Sequence, residues 1–252
     1  MKLDINRAVI IITLIMALAV FGIAIMGASS EPLPDFSVYK DVKQKKSAFF
    51  GYILPLVEAQ NTLIQRKRDK LLELKLLRVD EYSRSQRNFL TDLAKEYRLT
   101  ASEITPAEVK QLISRVDQIP ASLALAQAAM ESAWGTSRFA VQANNLFGQW
   151  CYEKGCGLVP LRRNAGSKHE VAKFDSVSDA IKSYLRNINT HRAYSDLREQ
   201  RAVLRNAGKV VTGHKLAEGL IDYSELREAY VHEIQAVIRI NKLTKYDSES
   251  TD

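Results

Sequence analysis

The stretch AMESAWGTSRFA (residues 129–140), followed by NNLFG (144–148), decides how this chain is read. Glu131 stands at the end of an alanine-rich run, beside Trp134 and Gly135, with an Asn-Asn turn just downstream. Pro120 suits a first helical position, and Leu123, Gln127, Met130 and Trp134 then follow 4-3-4 spacing. Alanines at 121, 124, 126, 128, 129 and 133 combine high helix propensity with thin side chains. The pattern predicts a central helix closely surrounded by others and ended by Gly135. Glu131 then lies in the last turn, where the negative end of the helix dipole disfavours a carboxylate by up to about 1 kcal/mol. Apolar neighbours such as Met130 or Trp134 add desolvation of the same sign. A carboxylic acid held protonated near neutral pH is what a general acid for glycosidic cleavage requires. Most helical carboxylates are simply solvated, so the helix alone does not separate the two roles.

Working outward, Ala8 to Ala28 is an uncharged apolar run preceded by Lys2 and Arg7. Such a run is long enough, at about 1.5 Å per residue, to cross a hydrocarbon core of about 30 Å. Residues 1–30 are therefore expected to be a membrane anchor, with cleavage near Gly27-Ala28-Ser29 as the alternative. Lys2 and Arg7 place the N-terminus in the cytoplasm, so the rest is exported: an inner-membrane protein facing the periplasm, or a periplasmic one if the segment is cut. The two cysteines, Cys151 and Cys156 in CYEKGC, suit a disulfide in that compartment. Free thiols are the other reading. The four histidines are scattered and form no ligand pair, so no metal or other cofactor is implied. A net charge of +7 favours anionic partners. Export argues against nucleic acid and leaves the wall and the membrane surface; the oligomeric state is not indicated.

EPLPDF (31–36) reads as a linker opening a helical spacer over residues 31–80. Its helix is expected from about Val38 to Leu77, with Tyr52, Leu56, Ala59 and Leu63 on one apolar face. Pro55 should kink or split it. QRKRDK (65–70) is a basic cluster, read as a solvated face with headgroup binding as the alternative. A main domain is expected over 81–245. Ser83 or Ser85 opens a helix whose stripe is Phe89, Leu90, Leu93 and Tyr97. Thr105-Pro106-Ala107-Glu108 opens another, with threonine as N-cap and proline at N1, running to about Val116. Phe174, Ile181, Tyr184, Leu185 and Ile188 mark a later packed helix; HRAYSDLR (191–198) is expected as an exposed structural segment. Residues 246–252 are expected to be a disordered tail.

The string LAQAAMESAWGTSRFA followed by NNLFG resembles the bacterial endo-β-N-acetylglucosaminidases of glycoside hydrolase family 73, usually AQAALESGWG and then NNLFG, and most of all their Bax-type branch. The likeness runs from about Arg87 to Asn241 and is strongest at 124–148. It implies a mostly α (α+β) architecture: a lysozyme-like helical body with a small β-hairpin lobe and a cleft between them. It also implies peptidoglycan glycan strands as substrate, with Glu131 as the acid that protonates the glycosidic oxygen after N-acetylglucosamine. The turn Asn144-Asn145-Leu146-Phe147-Gly148 would shape the cleft floor, with Asn144, Asn145 and Phe147 binding substrate, and Trp134 and Trp150 would stack on sugars.

A two-carboxylate glycosidase needs a base or nucleophile as well. Several family members carry it in a threonine-glutamate-aromatic segment of the β lobe. Residues 157–176 read as the corresponding hairpin, Leu158 to Arg163 and Lys168 to Phe174, but Arg162 and Arg163 stand about where that pair belongs. Glu170 is the remaining candidate, ahead of Glu153 and Asp175. Otherwise the substrate's acetamido group acts as nucleophile. The family's late tyrosine corresponds to Tyr223 in LIDYSELREAY, with Tyr230 in reserve. A muramidase or lytic transglycosylase on the same fold is a rival, although NLFG replaces the Gly-Leu-Met-Gln string usual there. A non-catalytic wall-binding scaffold is another.

Overall fold

The computed structural model describes residues 32–100, 103–161, 166 and 168–247. The expected membrane segment, residues 162–165 of the hairpin turn, and 248–252 of the expected tail lie outside the described residues. No helix among the described residues is long and apolar enough to cross a membrane.

Nine α-helices and one small sheet are described: α1 Val42–Lys75, α2 Arg84–Glu96, α3 Pro106–Arg115, α4 Ala121–Glu131, α5 Arg138–Ala143, α6 Val177–Thr190, α7 Ser195–Asn206, α8 Gly213–Leu216 and α9 Glu228–Ile240. Strands β1 Trp150–Cys151, β2 Gly157–Leu158 and β3 Glu170–Ala172 form an antiparallel sheet in the order β1-β3-β2. The mostly helical body with a small β lobe matches the expected fold class. The expected hairpin is β2 paired with β3, Leu158 opposite Val171. The strand on its other side, β1, begins two residues after NNLFG, with Trp150 opposite Val171.

Local chemistry accounts for the helix starts. Ser83 caps α2, with Gln86 returning the bond, and Thr105 caps α3 ahead of Pro106, with Glu108 as its partner. α4 is the central helix: every residue from Ala121 to Ala129 is buried, and α1, α8 and α9 pack around it. Pro120 offers α4 no side-chain cap. Asp247 replaces it from the far end of the chain, accepting from Ser122 N at 2.9 Å, Ser122 Oγ at 2.7 Å and Gly213 N at 3.0 Å. The charge sits where the helix dipole favours it. So the chain stays fixed through Asp247, beyond the expected start of a disordered tail at 246.

α1 differs from the expected spacer helix in three ways. It runs unbroken through Pro55, because the ring and Gly51, whose carbonyl loses its donor, both face solvent. Its buried stripe is Phe49, Phe50, Ile53, Val57, Ile64, Leu71 and Leu74, one position round from the expected face; Leu63 is exposed. And this stripe joins the same core as α4, so the segment is built into the body that carries Glu131.

A charged knot locks the helices together. Asp117, buried between α3 and α4, receives Arg205 through two bonds of 2.8 and 2.6 Å, with Arg68 at 3.3 Å and Arg201 at 3.4 Å. Fully buried Arg201 also donates to the carbonyls of Ser114 and Gln118 and to Asn189 Oδ1. Desolvation, countered by Asp117, lowers its guanidinium to about 10, still charged at neutral pH. Arg68 belongs to the QRKRDK cluster, so that cluster is not wholly a solvated face.

Candidate active site

Glu131 closes α4, and the chain leaves the helix through a left-handed turn: φ is 51° at Ala133, 58° at Trp134 and 77° at Gly135. Two non-glycine residues in that region cost about 1–2 kcal/mol each. Neighbouring contacts hold them there. Ser132 Oγ accepts from Gly135 N at 2.8 Å, and Gly135 lies so close to the Phe36 ring that a Cβ would meet it at 2.4 Å. Trp134 sits edge-on to Phe49 and Phe50, at 5.8 and 5.3 Å between ring centroids, with the Lys46 ammonium 4.8 Å from its own. This tryptophan, expected as a sugar platform, is engaged in joining α1 to the end of α4.

The half-buried Glu131 carboxyl has two differently placed oxygens. Oε1 accepts from the Tyr230 hydroxyl at 2.8 Å. Oε2 faces Gly148, the last residue of NNLFG, where a Cβ would stand 3.6 Å away. Behind Oε1 runs a one-way chain. Tyr184 donates to Gln127 Oε1 at 2.5 Å, Gln127 Nε2 donates to the Tyr230 oxygen at 2.9 Å, and the Tyr230 hydroxyl donates in turn to Glu131 Oε1. Every donor is committed in that direction, so a proton carried by Glu131 belongs on Oε2, on the Gly148 side. Burial pushes the Glu131 carboxyl above its ordinary value, and the Tyr230 hydrogen bond draws it part of the way back.

The phenol that reaches Glu131 is therefore Tyr230, the reserve choice, and not Tyr223. Tyr223 donates to the Phe147 carbonyl at 2.9 Å and stacks on Tyr230 at 5.3 Å, shaping the turn and bracing its neighbour. Tyr194, expected on an exposed segment, is buried beside Tyr223 at 5.9 Å. Desolvation first, then Asp222 and Glu131, push its phenol up to about 12. Phe147 is buried and stacks on Tyr184 at 4.0 Å. This aromatic layer supplies the low-polarity side of the carboxyl.

The asparagines hold the turn. Asn144 takes the left-handed conformation that ends α5 and donates to the Phe174 carbonyl at 3.0 Å. Buried Asn145 donates to the carbonyls of Gln149 and Ala172 and accepts from the N–H groups of Phe147 and Gln149. Its amide thus fixes both the loop and β3, which sets Gly148 against Glu131. Trp150 is 57 % exposed and stacks on His169 at 4.1 Å, leaving an aromatic surface on the β lobe.

Glu170 is buried in β3, and its two oxygens accept Gly155 N at 3.0 Å and Gly157 N at 2.9 Å. Gly155 lies in the loop closed by the Cys151–Cys156 disulfide, and Gly157 opens β2 directly after it. The carboxylate expected as the second catalytic group thus holds the lobe's loop in shape. A Glu170 oxygen and both sulfurs lie within 4.8 Å of one another. The sulfurs are joined, which leaves no thiolate to bind a metal. Glu153 and Asp175 are exposed.

Sequence reasoning placed Gln127 and Tyr184 only in helix stripes and Gly148 only within the turn, without their contacts to the Glu131 site. A signal for Gln127 was present: it stands four residues before Glu131, on the same helical face.

The profile of a family described as mannosyl-glycoprotein endo-β-N-acetylglucosaminidase matches residues 107–243, from α3 through α9. The chain belongs to the glucosaminidase family. It is also 34 % identical over 216 residues to Protein bax of Escherichia coli strain K12, an alignment covering 85 % of this chain and 76 % of that protein. No solved structure matches it. Glucosaminidases are glycosidases, and Glu131, Gln127, Gly148 and Tyr230 all lie within the matched span. The clasp formed by Phe36, Phe49 and Phe50 lies outside it.

Proposed function

We propose that the chain is a peptidoglycan hydrolase that cuts the glycosidic bond after N-acetylglucosamine, with Glu131 as general acid. The observation that carries this reading is the asymmetric Glu131 carboxyl: one oxygen fixed by Tyr230, the other facing a glycine, in surroundings that favour the protonated form. The acid proton on Oε2 passes to the glycosidic oxygen as the bond to the anomeric carbon breaks. The carboxylate left behind gains a stronger bond from Tyr230, because a charged acceptor binds a hydroxyl more tightly than a neutral one. Exposed Trp150 stacks on a sugar ring of the bound strand.

With both Glu170 oxygens holding the loop, the substrate's acetamido oxygen is the nucleophile at the anomeric carbon, one of the established departures from the two-carboxylate scheme. Residues 1–30 tether the enzyme to the inner membrane with its body in the periplasm, which the apolar run preceded by Lys2 and Arg7 supports.

The test is end-group analysis. Purified peptidoglycan is digested with the wild type and Glu131→Gln, reduced with borohydride and examined by mass spectrometry. Reduced N-acetylglucosamine ends from the wild type alone are expected. Anhydromuramic ends would instead make it a lytic transglycosylase, and no cleavage with intact wall binding would make it a scaffold.

A further inference from the structure

A groove of about 650 Å³ opens between α1, the end of α2 and α6. Ile64 and Leu185 form its apolar floor with Phe174, and its walls carry Arg66 and Lys67 from α1 and Lys182 and Arg186 from α6. Among the described residues two carboxylates line it, and both have other work. Glu96 is bound by Lys67 at 2.6 and 2.8 Å, and Asp179 accepts the Ser176 hydroxyl at 2.6 Å in the cap of α6. Arg66, Lys182 and Arg186 have no carboxylate partner among the described residues. Arg98 adds a further positive charge near Arg186; burial, and then that facing charge, hold its guanidinium below the ordinary value. Cations from α1 and α6 thus converge on one concavity, and three of them, Arg66, Lys182 and Arg186, are left without a carboxylate among the described residues.

The groove is rigidly joined to the Glu131 site. Asn144 donates to the carbonyl of Phe174, a lining residue of the groove, and Gln149, the residue after NNLFG, donates through Nε2 to the Ala180 carbonyl of α6 at 2.9 Å, so the turn is tied to the groove on both sides. α6 presents Tyr184 inward to Gln127 while Lys182 and Arg186 point out. A ligand that is part of a long polymer can occupy both places on one molecule.

We propose that this groove is a second binding site, and that it holds the carboxylate-bearing peptide stems of the wall polymer; the choice of polymer rests on the reading of Glu131 above. Its shape selects a peptide over a membrane. A bilayer surface is broad and cannot enter a concavity between helices, whereas an extended peptide sets carboxylates against the cations and aliphatic carbons on the apolar floor. Volumes of this size suit ligands of that class.

The test uses the full-length chain and a fluorescently labelled stem peptide with free carboxylates, beside the same peptide with its carboxylates amidated. Binding is followed by anisotropy for the wild type and for the triple variants Arg66→Gln/Lys182→Gln/Arg186→Gln and Arg66→Glu/Lys182→Glu/Arg186→Glu. All three side chains are exposed, so unchanged thermal melting is expected. The free stem should bind the wild type and weaken about tenfold on amidation or in the Gln variant, the reach of two or three exposed ion pairs. It should weaken further in the Glu variant and as salt is raised.

Equal binding of the two peptides, or equal binding by wild type and variants, would overturn the proposal. So would variants that keep stem binding but lose binding to phosphatidylglycerol vesicles, which would make the groove a lipid site. Glycan cleavage is measured on the same preparations. Stem binding through the three cations without cleavage keeps the groove and overturns only the reading of Glu131. Cleavage without stem binding does the reverse.

Discussion

Replacing Tyr230 by phenylalanine removes one oxygen and changes two neighbours in separable ways. Gln127 Nε2 loses its acceptor inside the protein, and a buried unpaired donor costs about 1–3 kcal/mol. Glu131 Oε1 loses a donor that matters most when the carboxyl becomes charged. Hydrogen bonds to charged groups contribute about 1.5–3 kcal/mol, so turnover should fall roughly 10- to 150-fold if that bond tightens as the proton leaves. The pH profile moves as well. With Glu131 as the proposed acid, activity should decline as pH rises past its pKa; Tyr230 lowers that pKa, so removing it should carry the basic limb to higher pH. The assay is initial rate on soluble glycan fragments from about pH 4 to 9, with denaturant melts for stability. An unchanged turnover, or a basic limb that moves down, would refute the reasoning about Oε1.

Other perturbations separate structural from chemical roles. Glu131→Gln should melt above the wild type at neutral pH and equal to it near pH 4, because a carboxyl raised in the folded state loses its stabilising contribution as pH climbs through its folded pKa. Glu170→Gln turns one acceptor towards a backbone N–H into a donor, lowering stability by about 1–3 kcal/mol; it should keep far more activity than Glu131→Gln, and an equally deep loss would restore Glu170 as the second carboxylate. Gly148→Ala, at φ 63° and facing Oε2, should cost about 1–2 kcal/mol by urea denaturation and reduce turnover further by crowding the acid. Asp117→Asn strips the carboxylate that contacts three arginines, one of them fully buried, and should cost about 3–5 kcal/mol in the same assay.

Features governed by neighbours in sequence were legible there. Thr105-Pro106 and Ser83 announced their helices because a cap is a local bond, and the alanines of α4 announced close packing because thin side chains have few other uses. The buried face of α1 was not. Its apolar residues spread over more than one stripe, and the deciding partners, Trp134, Gly135 and Asp117, lie far along the chain. Arg68 looked solvated for the same reason: its counter-ion is in another element. At the site, Glu131 and the NNLFG turn could be named, since one segment carries both. Choosing Tyr230 over Tyr223 required knowing that Tyr230 stands on α9, facing Gln127 and Glu131 across the core, while Tyr223 lies in the turn before it. Glu170 on a strand suggested positioned chemistry; the structure turns it towards the amides of Gly155 in the disulfide loop and Gly157 at the start of β2.

The most direct measurement is the titration of Glu131 itself, by carbon NMR of glutamate carboxyls labelled with ¹³C, with the resonance assigned from its absence in Glu131→Gln. A carboxyl that remains protonated above the ordinary glutamate range is expected. One that titrates at or below the ordinary value would contradict the assignment of Glu131 as a buried acid, whatever its motif resembles.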